Sequence, residues 1–339
     1  MIPELIVTPD LQARRDALDL SPLCELDGKA PRMDAISTAF AAQFLEAWNP
    51  SIFEVLRPSK SYTKLMAVDT QTVDPGADTY SYYVSDTIGD TKTIQGGASI
   101  TDLPRADAKG TYVTRKVQTE ANSYAYTLLE LKQAALAARR GVAFPLDQQR
   151  RTAAFRAHEE KWNNVALFGD TGFGSAGLFT DSNITNSQVA ANGTGSSRLW
   201  ANKTGTQRVQ DVLAAKTAVI TASKGVHMPN KLGISPQGYS QLEEPLGDNE
   251  DKTCRKYIEE QLKLTVEIVP ELDGTLASGA DGFIVYDDNP MNGGFYVAES
   301  FYETPPQPEG LGYVTSCQSR FVTGFVGYYP QAYQIRRGI

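Results

Sequence analysis

Gly172-Phe173-Gly174-Ser175-Ala176-Gly177 has the GxGxxG spacing of a loop that cradles a dinucleotide pyrophosphate. That chemistry needs the glycines between a strand and a helix, so that the N–H groups of the first helical turn face the phosphates. Here the motif follows a long helical pattern and runs into Leu178-Phe179-Thr180-Asp181, which is no helix start. The acid that would hold a ribose about 20 residues further on is also missing. The glycines therefore read as a joint after a helix, with a nucleotide-binding enzyme as the alternative. Overlapping them, Asp170-Thr171-Gly172 is the triplet of peptidases in which two carboxylates share one proton. No second copy exists in the sequence.

The remaining reactive side chains are scattered. His158 and His227 are the 2 histidines. His158 falls on the apolar stripe of a helix and reads as a core residue. His158-Glu159-Glu160 is not HExxH, because residue 162 is Trp. No GxSxG elbow occurs. Asp248 to Asp251 and Asp287-Asp288-Asn289 are acidic, yet they lack the glycine and distal glutamate of a calcium loop and read as solvated turns. Glu243-Glu244 and Glu259-Glu260 are adjacent, so a helix points their carboxylates apart. Cys24, Cys254 and Cys317 show no paired spacing and read as free thiols. No catalytic residue, metal ligand or cofactor is expected.

The 339 residues carry 32 Lys and Arg against 40 Asp and Glu, a formal net charge of −8. A chain built to grip phosphates would have a basic excess. The pairs Arg14-Arg15, Arg139-Arg140, Arg150-Arg151 and Arg336-Arg337 read as solvated faces, one of which is available to meet nucleic acid non-specifically. No apolar run approaches the roughly 20 residues that cross a bilayer, and the N-terminus lacks the pattern of a secretory signal. A soluble, intracellular protein without membrane contact is expected.

The elements fall in a distinctive order. Residues 1–57 read as an arm, with a short helix from Asp34 closed by Pro50. Residues 58–116 form a long polar excursion with strand chemistry at Tyr62–Val68, Thr79–Val84 and Thr111–Val117, and little core of its own. Alternation places Tyr80 and Tyr82 on one face and Tyr83 on the other. A helix from Thr127 carries Leu128, Leu129, Leu131, Ala135 and Leu136 and stops at Gly141. A second, residues 147–168, has an apolar stripe of Ala154, Phe155, His158, Trp162, Val165 and Ala166 and spans about 30 Å at 1.5 Å per residue. Asn183–Thr206 reads as a surface loop. An α/β pattern follows, with a helix ended by Gly225, a strand at Lys231–Ile234 and a strong helix start at Ser235-Pro236. A helix at 252–262 and strands at 265–269, 282–286 and 294–297 come next. The run Pro305-Pro306-Gln307-Pro308 interrupts the strands, and two more lie between Tyr313 and Tyr329.

Tyr124 to Leu131, Glu159-Glu160-Lys161-Trp162-Asn163, Leu167-Phe168-Gly169 and Gly177-Leu178 together resemble the spine helix of tailed-bacteriophage major capsid proteins and the related encapsulin shells. Met228 to Pro236, with Tyr239 and Leu242, is similar to the strand and helix of that family's axial domain. Arg320 to Gly324 and Tyr329 to Ala332 are similar to its ending. The resemblance implies an α+β phage major-capsid fold: an N-terminal arm, an extended loop, a peripheral domain with a long spine helix (117–184 and 299–318), and an axial α/β domain (185–298 and 319–339). It implies no enzyme but a structural subunit that self-assembles into an icosahedral head shell around the phage genome. An encapsulin-type cargo shell is the alternative. The implied partners are copies of the same chain, as hexamers and pentamers, together with a separate scaffold, a portal, cement proteins and packaged DNA. The location is the virion capsid, with the host cytoplasm during assembly. Tyr80, Tyr82 and Tyr83, and a loop of Pro305, Pro306 and Pro308 near a local threefold, are the candidate assembly contacts.

Overall fold

The computed structural model describes residues 60–93, 104–139, 146–247, 252–274, 276 and 281–339. The arm, its helix and the acidic run at 248–251 lie outside these residues. In chain order the elements are α1 (Tyr62–Leu65), β1 (Ala67–Asp69), β2 (Thr79–Ile88), β3 (Asp107–Thr127), α2 (Leu128–Arg139) and α3 (Leu146–Phe168). The short strands β4 (Gly169–Asp170), β5 (Ser175–Ala176) and β6 (Thr185–Gln188) lead to α4 (Gly205–Ala222), β7 (Lys231–Ile234), α5 (Pro236–Leu242) and α6 (Cys254–Glu260). The chain ends with β8 (Thr265–Ile268), β9 (Gly282–Tyr286), β10 (Gly293–Glu303), β11 (Gln307–Glu309), β12 (Gly312–Val322), β13 (Val326–Gly327) and β14 (Tyr333–Arg337).

One sheet has the order β1-β10-β12-β3-β2, with β11 added to β12 and β13 to β10. The spine helix α3 lies on it. Its stripe of Ala154, His158, Trp162, Val165 and Ala166 is buried, spaced as one face of a 3.6-residue period, and Leu167 is buried off that face at the helix end. Phe155, expected on that stripe, stays partly exposed, its ring edge-on to Phe301. The second sheet, β6-β14-β9-β7-β8, is covered on both faces. Its middle strand β9 shows why: every residue is buried. Ile284 and Tyr286 join the core shared with α3 and the first sheet. Phe283 and Val285 join the core under α4, α5 and α6. Alternate side chains of one strand thus fasten the two units.

Helix starts follow local chemistry. Thr204 and Gln207 form a reciprocal capping box on α4. Ser235 accepts from Gly238 N at 3.2 Å ahead of Pro236.

Several expectations change. Tyr62–Val68 is not one strand: Tyr62, Leu65 and Met66 turn inward as a single helical turn and enter the main core, and only β1 is extended. The excursion therefore begins near Thr79, not at 58. Asn183–Thr206 is not all surface loop: β6 pairs in parallel with β14, and Trp200 is fully buried. The boundaries at 298/299 and 318/319 fall inside β10 and β12, which stay continuous with each other through two register shifts, so both divisions share these strands.

Candidate functional site

The strand β3 has two partners. Its C-terminal half pairs with β12, from Val117↔Val322 to Thr127↔Gly312. Its N-terminal half leaves the body and pairs with β2 from Lys116↔Thr79 to Asp107↔Ile88. The result is a two-stranded ribbon rooted in the sheet. At the changeover Thr323 N donates to Lys116 O at 3.0 Å and Val117 N to Asp78 O at 2.9 Å. Arg320 on β12 braces the approach: its guanidinium donates to the carbonyls of Pro75 and Ala77 and pairs with Asp78 at 3.3 Å.

The predicted alternation in β2 is present, and it divides the candidate tyrosines. Tyr80 and Tyr82 face the body and pack with Val73, Tyr296, Ala298, Val322 and Val326. Tyr80 stacks on Tyr296 at 5.2 Å, and Tyr82 meets Tyr328 edge-on at 4.8 Å. Tyr328 donates its hydroxyl to Tyr296 at 2.9 Å, which leaves it the acceptor for Tyr80 at 2.6 Å. Burial, then these two hydrogen bonds, pushes the Tyr328 phenol far above its ordinary value. Tyr80 and Tyr82 therefore root the ribbon within its own chain. Sequence reasoning had no signal for Tyr296, Tyr328 and Arg320, which lie more than 200 residues away in the chain.

Tyr83 is on the opposite face, 56% exposed, beside Tyr112 at 75%. The two rings are 5.1 Å apart. Tyr83 also lies over Gly110, where any side chain would overlap its ring. An aromatic ring over a cross-strand glycine holds both in place. Ser81 and Thr114 share this face, with hydroxyls 2.9 Å apart.

At the other end of β3, Thr127 and Glu130 cap α2 reciprocally: Thr127 N donates to Glu130 Oε2 at 2.9 Å, and Glu130 N to Thr127 Oγ1 at 3.2 Å. Arg150 pairs with Glu130 at 2.8 Å, and that hydrogen bond, followed by the one from Thr127, holds the carboxyl at about 2. Yet α2 buries none of its residues. Its leucines, Leu128, Leu129, Leu131 and Leu136, face solvent. Beside α2 stands the hairpin of β11 and β12, where Leu128 N donates to Leu311 O at 3.0 Å. Pro305, Pro306 and Pro308 are exposed there, and Pro308 sits in the edge strand β11, where a missing N–H costs no ladder bond.

The glycine motif closes the spine helix. Leu178 N and Phe179 N donate to Ala166 O and Leu167 O at 2.9 and 2.8 Å, satisfying carbonyls that a helix end leaves open. Thr180 Oγ1 takes Phe168 O. Gly177 passes so close that a Cβ would overlap the backbone of Leu167, Phe168 and Gly169. Asp170 accepts from Gly172 N at 2.9 Å and pairs with Lys161 at 3.0 Å, and these contacts lower its carboxyl. Both glycine and aspartate readings resolve into this turn. The paired glutamates also have cations: Glu243 with Arg255, Glu244 with Arg208, and Glu260 with Lys252. Asp288 pairs with Lys231 at 2.7 Å, and Asp287 lies 3.5 Å from His227. Cys254 and Cys317 are buried free thiols; Cys24 lies outside the described residues. Among the described residues no group of three His, Cys, Asp or Glu is placed to hold a metal, and no helix is long and apolar enough to cross a membrane.

A spine helix laid on a β-sheet, an α/β unit sharing its core, and a ribbon that leaves both make up a capsid-type fold. The chain belongs to the major capsid protein family, whose model matches residues 89–339. Among solved structures it is similar to the capsid of Myoviridae phage XM1, with a TM-score of 0.73 and 14% identity over 88% of this chain and 98% of that one. It is also similar to a chain of Mycobacterium phage Adephagia (TM-score 0.61, 13% identity, 89% and 98%). A third is the capsid of a native GTA particle (TM-score 0.57, 13% identity, 90% and 99%). The comparison with curated proteins returns no match.

Proposed function

We propose that copies of this chain assemble, as hexamers and pentamers, into the closed icosahedral head of a tailed phage and enclose its genome. The role is mechanical and includes no catalytic step. The observation that carries this reading is the ribbon: past Tyr82 it has no core of its own, and it exposes Tyr83 and Tyr112 at its outer face. Two-stranded ribbons are marginal alone in water, so a neighbouring copy is the natural support. The exposed prolines 305, 306 and 308 are a second contact between copies, at a local threefold. A separate scaffold, a portal and cement proteins complete the set of partners. DNA touches the inner wall through non-specific charge, and assembly takes place in the host cytoplasm.

Light scattering of the purified chain, alone and co-expressed with its assembly genes, tests this. Large particles of uniform size are expected in at least one of the two preparations. Monomers in both would overturn the proposal.

A further inference from the structure

Tyr83 and Tyr112 stand directly opposite each other across β2 and β3, on the face that the ribbon turns away from the body. Directly opposed side chains are the closest pairs that two strands bring together. The ring centroids are 5.1 Å apart and the ring planes cross at 58°. The Tyr83 ring is also pinned: its hydroxyl, Cζ and Cε2 lie over Gly110, where an added Cβ would overlap them. Of its two carbons ortho to the hydroxyl, Cε1 is the one clear of that contact. Both phenols are open to solvent, by 56% and 75%.

No other close tyrosine pair among the described residues combines these features. In each of them at least one ring is half-buried or buried. Tyr80 on Tyr296 and Tyr286 on Tyr333 are stacked face to face, at interplanar angles of 22° and 8°. Tyr80, Tyr296 and Tyr328 also engage their hydroxyls with one another. The ribbon supplies no competing reductant, because residues 79–117 contain no Cys, Met, Trp or His. A radical formed on Tyr83 or Tyr112 therefore has the other ring as its oxidisable neighbour on that face.

We propose that Tyr83 and Tyr112 form a dityrosine site that closes the ribbon covalently. The oxidant is hydrogen peroxide working through a haem peroxidase, which takes one electron from each phenol. Each phenol loses its hydroxyl proton with that electron, and the two radicals join through a bond between ring carbons ortho to the hydroxyls. The hydrogens on those two carbons shift to the oxygens and restore both phenols. In sum, two electrons and two protons pass to one peroxide, which becomes two waters. The link ties β2 to β3 beyond Tyr82, the outermost side chain of β2 in the core of the body. It limits how far the strands of a marginal ribbon can part, because a closed loop has fewer conformations to open into. The site goes beyond the shell function and does not depend on it.

The purified full chain, treated with a haem peroxidase and hydrogen peroxide and then digested with trypsin, tests it. The peptides that carry Tyr83 and Tyr112 are expected as a joined pair, lighter than their sum by two hydrogen atoms. Before digestion the protein should still run as a single chain on a denaturing gel. Tyr83→Phe and Tyr112→Phe should each abolish the joined pair, and Tyr313→Phe should leave it. Amides of residues 84–88 and 107–111 should shift to slower hydrogen exchange in the linked chain. No joined pair, links only between two chains, or a joined pair that survives Tyr83→Phe would overturn the site. Exchange as fast in the linked chain as in the parent would overturn the closure of the ribbon.

Discussion

The hydroxyl of Tyr80 lies 2.6 Å from that of Tyr328, across 248 positions of sequence. Through this contact the ribbon is held to the body by side chains as well as by the continuity of β3. Tyr328→Phe removes this bond and the one to Tyr296 while keeping both ring contacts. At about 1 kcal/mol for each net hydrogen bond, it should lower stability by about 1–2 kcal/mol. The more telling readout is hydrogen exchange, where amides of residues 79–84 should exchange faster and those of β9 should not change.

Gly177→Ala should destabilise the chain by well over 1 kcal/mol, because its Cβ would enter the backbone of the preceding helix end. Calorimetry against Gly76→Ala, where nothing lies within 4 Å of the added carbon, makes the comparison internal. Equal midpoints for the two variants would contradict the close approach.

The legible parts of this chain were those written in local period or punctuation. The spine helix was visible from its stripe and its glycine stop, α5 from Ser235-Pro236, and the two faces of β2 from alternating tyrosines. The strand β6 was not, because Thr185-Asn186-Ser187-Gln188 has no apolar signal; its pairing with β14 comes from the far end of the chain. The continuation of β10 past Val297 was hidden for the same reason, since its partner, not its own pattern, carries it through two bulges. At the candidate site, periodicity identified α2 and the tyrosine faces correctly. It was silent on whether the leucines of α2 meet a core or water, and on the partners Tyr80 and Tyr82 find within their own chain, because both are decided by distant residues such as Tyr296 and Tyr328.

Lys203 and Asp211 form a fully buried ion pair at 2.6 Å, and Trp200 Nε1 donates to the same carboxylate oxygen at 2.9 Å. Removing one partner strands a charge in the interior. Lys203→Met should cost about 3–5 kcal/mol in denaturant unfolding. The double variant Lys203→Met with Asp211→Leu should recover part of that loss. No recovery would mean that the lysine's bond to Ala190 O, at 2.7 Å, carries the effect instead.

His158 is buried between Phe301 and Ser319, with Nδ1 2.8 Å from Ser319 Oγ, and burial lowers its pKa. The folded chain therefore binds a proton less readily than the unfolded one. Stability from this group is complete above about pH 6.5, the ordinary imidazole value, and falls as pH drops below it toward the folded-state pKa. His158→Gln should flatten the urea midpoint between pH 7 and 5. An unchanged slope would contradict the assignment.

Electron microscopy of two purified chains, co-expressed with the same assembly genes, tests the central claim most directly. One is the full chain; in the other, residues 83–112 are replaced by a short Gly/Ser linker, which removes the outward Tyr83 and Tyr112 and spares the rooted Tyr80, Tyr82 and Val73. The full chain should give closed shells of uniform diameter, and the shortened one a folded, soluble protein without shells. Normal shells from the shortened chain, or none from the full one, would contradict a capsid subunit clasped by its ribbon.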